Sequence, residues 1–276
     1  MITINVLYWN IKNNVNVVPL LSQLCKENSI NVLILSETKG IDPEYIVRKL
    51  NDNDENYSAE LPMPGNRTYL FHSLKGKIVK VKDGKFYSAF KIIDSSSLML
   101  LISLHLPSRL YKSDDDIGHE ASLVRRDIEK LEEEFQTNRT MVVGDFNLNP
   151  FSKPMVASYG FNAIMCKETA LKLTRTVDRE PYKYFFNPMW SLHGNLENQV
   201  LGSYYHHKSP VSYVWNMFDQ VIIRPSLIEL FDFNELEILH KINETSILKS
   251  SGRPNDNDFS DHLPLKFKIK VEENLI

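Results

Sequence analysis

The sequence predicts an α/β layered fold, and three observations carry that expectation. Apolar runs rich in β-branched residues recur as strand candidates: "INVLYW", "NVLIL", "SLMLLISL", "TMVV" and "QVII". Two segments have the apolar spacing of amphipathic helices. A strand, a helix and a second strand follow one another near the start, an order that layers helix on sheet rather than stacking strands alone.

Taken along the chain, the first strand candidate leads into "NVVPLLSQLCKENS", where Leu20, Leu21 and Leu24 sit at helical spacing, and "NVLIL" follows as the second strand. In "GKIVKVKDGKFYSAFKII", Asp83-Gly84 is a two-residue turn signal of the type I′ kind. That turn predicts Lys82 opposite Lys85 and Lys80 opposite Tyr87, on one face with Lys91 further along. Residues 66–91 hold six lysines and Arg67 against one acid, Asp83. Such a face either keeps an edge hairpin from pairing with other chains or offers a basic ledge to a phosphate-bearing substrate. In "EASLVRRDIEKLEEEF", Leu123, Ile128, Leu131 and Phe135 are expected on one buried side. The acidic runs Asp114–Asp116 and Glu132–Glu134 read as a solvated loop and a solvated helix face. "SSGRPNDNDFS" reads as a turn-rich loop before the last strand. No repeat, low-complexity segment or composition shift divides the chain, so residues 1–276 are read as one domain.

The chain is long enough for a sizeable core, with 42% hydrophobic and 24% charged residues. A net charge of -3 argues against a dedicated non-specific nucleic-acid binder, but not against an enzyme that meets phosphate through a bound cation. Two cysteines, Cys25 and Cys166, make no disulfide framework and fit a reducing compartment. "ITINVLYWN" has none of the marks of a signal peptide, and no apolar run approaches the ~20 residues of a membrane span. These features point to the cytosol, with neither a membrane nor a disulfide partner.

The strand candidates share a habit at their ends. "INVLYWN" ends in Asn10, "NVLILSE" in Glu37, "LMLLISLH" in His105, and "TMVVGDFN" in Asp145 and Asn147. "FDQVII" places Asp219 at a strand entrance, and "FSDHLPLKFKI" places Asp261 and His262 before the last strand. Each alone is an ordinary turn sequence. Together they are a chemical inventory, and layered α/β folds collect ligands outside the carboxyl ends of their strands. Glu37 and Asp261 are hard oxygen donors suited to Mg²⁺ or Mn²⁺, and the lack of a Cys/His cluster argues against zinc. Imidazoles and amides supply donors to phosphate oxygens, and a carboxylate beside a histidine orients and charges it. The set fits metal-assisted hydrolysis of a phosphate ester.

In order, "WN", "SET", "SLHLP", "GDFN", "FDQ" and "SDHLPL" resemble the endonuclease/exonuclease/phosphatase superfamily, and the match runs from Asn10 to His262. The resemblance implies a four-layered α/β/β/α sandwich of two facing mixed β-sheets flanked by helices, with the site at one edge. It implies Glu37 as principal metal ligand, with Asn10 and Asp261 completing the metal's surroundings. Asp145 would orient or deprotonate the attacking water and Asn147 would hold the phosphate or the nucleophile. Asp219 would keep His262 protonated against a phosphate oxygen, and His105 would contact the phosphate from the other side. Arg67 stands where some nucleases of this group have a phosphate-contacting arginine. "GDFN" and "MFDQ" differ from the phosphoinositide-phosphatase patterns around the same positions and sit nearer the nucleases.

Residues 182–215 contain nine aromatics, from Tyr182 to Trp215. They either close one end of the core or stack on unpaired bases. Trp190 and Trp215, with Lys80 and Lys82 of the hairpin, are the substrate-binding candidates. His193, His206 and His207 receive no role. The leading expectation is a Mg²⁺-dependent nuclease acting on DNA or RNA. A phosphatase or phosphodiesterase for a small molecule (nucleotide, inositol phosphate or lipid head group) is the alternative. A non-catalytic binding module is disfavoured, because the full set from Glu37 to His262 is present.

Overall fold

The computed structural model describes residues 2–52, 55–63, 68–93, 98–108, 114–193, 195–208 and 212–271. Arg67 lies outside them. Strands β1 (Ile2–Asn10), β2 (Val32–Ser36), β3 (Ser58–Glu60) and β4 (Thr68–His72) share a six-stranded sheet with Phe231–Ile238 and Leu265–Val271. Its order is Phe231–Ile238, Leu265–Val271, β1, β2, β4, β3. The β1–β2 pair is parallel and the rest antiparallel. Helices α1 (Val18–Glu27) and α2 (Pro43–Leu50) lie in the connections on either side of β2. α1 takes Pro in its first turn, where no N–H is needed, and the Asp42 side chain caps α2 by accepting from the Glu44 N–H at 3.0 Å.

A seven-stranded sheet faces the first. Its order is β5 (Ile78–Asp83), β6 (Tyr87–Ile93), β7 (Leu98–His105), β8 (Thr140–Asp145), then Asp219–Ile223, Phe185–Phe186 and Ala163–Ile164. The β7–β8 pair is parallel, which requires a crossover, and the long helix α3 (Asp114–Glu134) supplies it. Alternation along these strands divides the core. Met99 and Leu101 of β7, Met141 and Val143 of β8, and Val221 and Ile223 point into the first cluster, between the sheets. Leu100, Ile102 and Leu104, Val142, and Ile222 point the other way, onto α3. These strands read as continuous apolar runs because both of their faces are covered. α1 and α2 add Leu21, Leu24, Ile46 and Leu50 to the first cluster. The result is a pair of large mixed sheets flanked by helices, as the sequence predicts.

Three expectations are corrected. The β5–β6 hairpin does not turn at Asp83-Gly84. Asp83 ends β5 opposite Ser88, and the turn closes through Gly84 N–H to Tyr87 O at 2.8 Å. Asp83 is held by its own side chain, which accepts from Ser88 Oγ (2.7 Å), Lys80 Nζ (3.0 Å) and Met63 N (3.0 Å). A bulge between Lys80 and Lys82 then sets Lys80 against Phe90 and Lys82 against Ala89, neighbours that face opposite sides. The lysines therefore form no single ledge. On α3, Leu123 is 37% exposed, about 140° around the helix from Ile128, while Val124 takes the buried position. The acidic runs also differ from expectation. Asp115 and Asp116 lie within α3 rather than in a loop. Glu132 is buried, because Arg224 Nε donates to it at 2.7 Å and lies over the Phe185 ring at 3.8 Å.

Gly144, one residue before Asp145, is packed directly against Leu104 of β7. A Cβ there would stand 1.8 Å from the Leu104 carbonyl oxygen, which is backbone and cannot give way. Gly144→Ala is expected to destabilise by about 3 kcal/mol or more, as severe overpacking does. Urea unfolding of the variant against the parent measures this.

Candidate active site

The carboxyl ends of β1, β2, β7 and β8 lie at one edge of the sandwich, where the sheets converge. Asp145 ends β8 and is paired in register with His105 of β7 on one side and Asp219 on the other. Its carboxylate is buried and reaches across to the opposite sheet, where Asn10 Nδ2 donates to Oδ2 at 3.2 Å. The same amide donates to Glu37 Oε1 at 3.1 Å. Asn10 can turn its donor end this way because its Oδ1 accepts from the Lys12 N–H at 3.1 Å. Asp145 Oδ2 also has His105 Nε2 at 3.8 Å and His262 Nε2 at 3.9 Å, and its Oδ1 accepts from the Asn147 N–H at 2.8 Å. His105 Nε2 stands 3.8 Å from Glu37 Oε1, so both carboxylates see the same imidazole.

Backbone strain marks two of these positions. Glu37 and Asn147 both have φ near 51°, the left-handed region, which is routine for asparagine and uncommon for glutamate. Asn13 N–H to Glu37 O at 2.6 Å holds the first. Asn147 Nδ2 to Leu106 O at 2.9 Å holds the second.

His262 Nδ1 lies 2.8 Å from Asp219 Oδ2, and both groups are buried. Burial opposes charge on His262, but the Asp219 carboxylate in contact, with Asp145 and Asp261 beyond, outweighs it and raises the imidazole to about 10. Asp145 is pushed up to about 7. Burial raises it, His262 pulls it back, and Asp219 adds to the rise. The pair thus sets a charged imidazolium beside a carboxylate whose proton affinity lies near neutrality.

Surrounding groups fix this arrangement, and sequence reasoning missed them. Ser203 Oγ accepts from the Asp219 N–H at 3.0 Å. Ser260 Oγ donates to Asn10 O at 2.6 Å, and Trp9 Nε1 donates to His262 O at 2.9 Å. Tyr204 lies with its ring 4.6 Å from that of His262. Asn149, inside "GDFNLNP", donates to Asn216 Oδ1 and accepts from the Met217 N–H, tying the Asn147 loop to the segment entering Asp219. No periodicity signals these contacts; the polar spacing in "GDFNLNP" was the one available hint.

The remaining expected residues make contacts of their own. Asp261 turns its carboxylate to Lys12 Nζ at 3.2 Å. Lys80 and Lys82 are on β5, the far edge strand, with β6 and β7 between them and β8. Trp215 packs edge-on to Tyr205, and Trp190 edge-on to Phe151.

The donor set fits a hard divalent cation at Glu37. Its carboxylate is 36% exposed, which leaves room for the waters Mg²⁺ retains. Two phenols nearby are raised mainly by burial, with the acids of the site adding. Tyr204 is pushed up to about 12 by burial, with Asp261, Asp145 and Glu37 adding, and buried Tyr8 is raised further by Asp145, Asp219 and Glu37. Asp145, Asp219 and His262 also bring ligand atoms within 4.8 Å of one another. That trio is closed to solvent and His262 Nδ1 is engaged with Asp219 Oδ2 at 2.8 Å, so Glu37 offers the more open position.

No protein-family profile matches the sequence, and no curated protein matches it. Solved structures match by fold. A humanized D. rerio TDP2 is 15% identical with a TM-score of 0.59, over 98% of this chain and 99% of that one. An endonuclease/exonuclease/phosphatase family protein from Bacteroides thetaiotaomicron is 14% identical with a TM-score of 0.58, over 98% of each chain. NExo, a 3′ phosphatase from Neisseria solved with a product DNA hairpin, is 10% identical with a TM-score of 0.57, over 97% and 100%. At these identities the likeness is one of fold.

In the metal-free protein His262 is expected to stay charged at pH 8, and in Asp219→Asn to lose its proton well below that. Because its folded value lies above its unfolded one, the pair's contribution to stability is full below about pH 6.5. It fades as pH rises through about 10. Imidazole NMR titration of both proteins checks this.

Proposed function

We propose that this protein is a metal-dependent phosphodiesterase, acting as a nuclease on DNA or RNA. The observation that carries the reading is the Asp145 carboxylate. It joins Asn10 of one sheet to His105, Asn147 and the Asp219–His262 pair of the other, beside the open carboxylate of Glu37. D. rerio TDP2 in complex with a single strand DNA product, which shares this fold at 15% identity, supports the choice of a polynucleotide.

In this reading Glu37 holds Mg²⁺ or Mn²⁺, which when bound draws charge from a phosphoryl oxygen. Asp145 accepts a proton from the attacking water, and a value near neutrality suits a base working at pH 7. Asn10 and the Asn147 N–H keep that carboxylate aimed. His262 presents its Nε2 proton to a phosphate oxygen and Asp219 keeps the imidazole charged. His105 contacts the phosphate from the β7 side.

Recognition of a strand would fall to the aromatics beside the catalytic loop. Phe151 directly follows "GDFNLNP" and meets Trp190, His193 and Tyr213 at 6.1, 5.5 and 5.1 Å between ring centres. Tyr213 is 58% exposed, a surface on which an unpaired base can stack.

Cleavage of labelled single- and double-stranded DNA and RNA with Mg²⁺ or Mn²⁺ is expected, with loss in EDTA. Glu37→Gln and Asp145→Asn are each expected to reduce turnover by about 1000-fold or more, the loss typical of removing a group that acts in the transition state. Unimpaired turnover in Glu37→Gln would refute the metal assignment. Cleavage of small phosphoesters alone would move the substrate to that class. Tyr213→Ala is expected to raise KM for a single-stranded oligonucleotide about 10-fold, the value of one stacked base. Its turnover of a small chromogenic ester should be unchanged.

A further inference from the structure

We propose that Lys12 is the site's built-in second cation: its ammonium claims Asp261, and the site therefore takes one divalent ion, at Glu37. The proposal rests on the reading of Glu37 as a metal ligand.

The β1–α1 connection is shaped to hold this lysine. Lys12 and Asn13 are consecutive non-glycine residues in the left-handed region, with φ of 52° and 55°. Both are tied on each side. The Lys12 N–H donates to Asn10 Oδ1, the Asn13 N–H donates to Glu37 O, and Asn13 Oδ1 accepts from the Lys39 N–H at 2.7 Å. Asn14 Nδ2 donates to Phe259 O at 2.7 Å, which anchors the connection to the loop that carries Asp261. Lys12, Asn13 and Asn14 thus aim the Asn10 amide, hold Glu37 in its strained conformation and bring the Lys12 side chain to Asp261.

The ammonium sits 3.2 Å from Asp261 Oδ2 and 3.8 Å from Asp256 Oδ2. Asp256 has a second cation in contact, Lys249, so Asp261 is the carboxylate that depends on Lys12. Four carboxylates belong to the site: Glu37, Asp145, Asp219 and Asp261. Asp219 is buried and joined to His262, Asp261 is held by Lys12, and Asp145 is enclosed by Asn10, Asn147, His105 and His262. Glu37 is left as the open oxygen donor. Removing the lysine ammonium would release the Asp261 carboxylate, 30% exposed, as a second open oxygen donor, the condition for a second ion.

Counting bound Mn²⁺ by electron paramagnetic resonance of the unbound ion, in substrate-free protein, tests this without reference to turnover. The parent chain is expected to bind one ion, and Lys12→Gln two. The second should vanish in Lys12→Gln/Asp261→Asn, and Lys12→Arg should keep the count at one. Thermal melts run in parallel identify any variant that is not folded, and Lys12→Met, also expected to bind two ions, carries the test if Gln is not tolerated. Two ions on the parent, or one on folded Lys12→Gln, would overturn the proposal while leaving Glu37 as a ligand. No ion on the parent, or an undiminished ion on Glu37→Gln, would overturn the metal reading and the proposal with it.

Discussion

The structure depends on a buried charge placed where two sheets meet. A carboxylate taken out of water is costly unless it is hydrogen-bonded and paired, and Asp145 has no solvent to fall back on. Its partners come from both sheets and from four separate stretches of chain. Asn10 ends the central strand of one sheet, His105 and Asn147 flank Asp145 in the other, and His262 arrives from the loop before the last strand. Satisfying that one group forces the two layers into register at this edge.

The supports around it follow the same logic at one remove. Asp219 can hold His262 charged only if it stays in line, and Ser203 fixes its backbone while Trp9 and Ser260 pin the strand-entry loop. Asn149 joins the two loops on the far side. Close packing does the rest. β7 and β8 approach so tightly at Leu104 and Gly144 that the residue before Asp145 has no room for a side chain. The glycine of "GDFN" therefore belongs to the packing of the strands, and the aspartate after it to the polar cluster.

The failures of local reasoning also have physical causes. The Asp83-Gly84 signal was genuine turn chemistry, but three donors capture the Asp83 carboxylate and move the turn onward. Glu132 looked like one more solvated acid on a helix, yet an arginine 92 residues away makes it the buried anchor of α3. Leu123 fell off the apolar face because Val124 fits it better by one helical step. In each case the packing and hydrogen bonds of the folded chain overrode a local preference.

The sequence by itself determined the strands, their covered faces and the kinds of chemical group at their ends. Apolar runs and their polar terminal residues are local properties, so Asn10, Glu37, His105, Asp145, Asp219 and His262 were all legible as candidates. Tertiary structure alone decided which of them touch. It set Asn10 as a donor between two carboxylates and turned Asp261 toward Lys12, while the Asp219–His262 contact is the one the family resemblance implies. It also sent Lys80 and Lys82 to a remote edge strand. Periodicity reports which face of an element is buried. It carries no information about how two sheets face each other, and that decides whether Asn10 of one reaches Asp145 of the other.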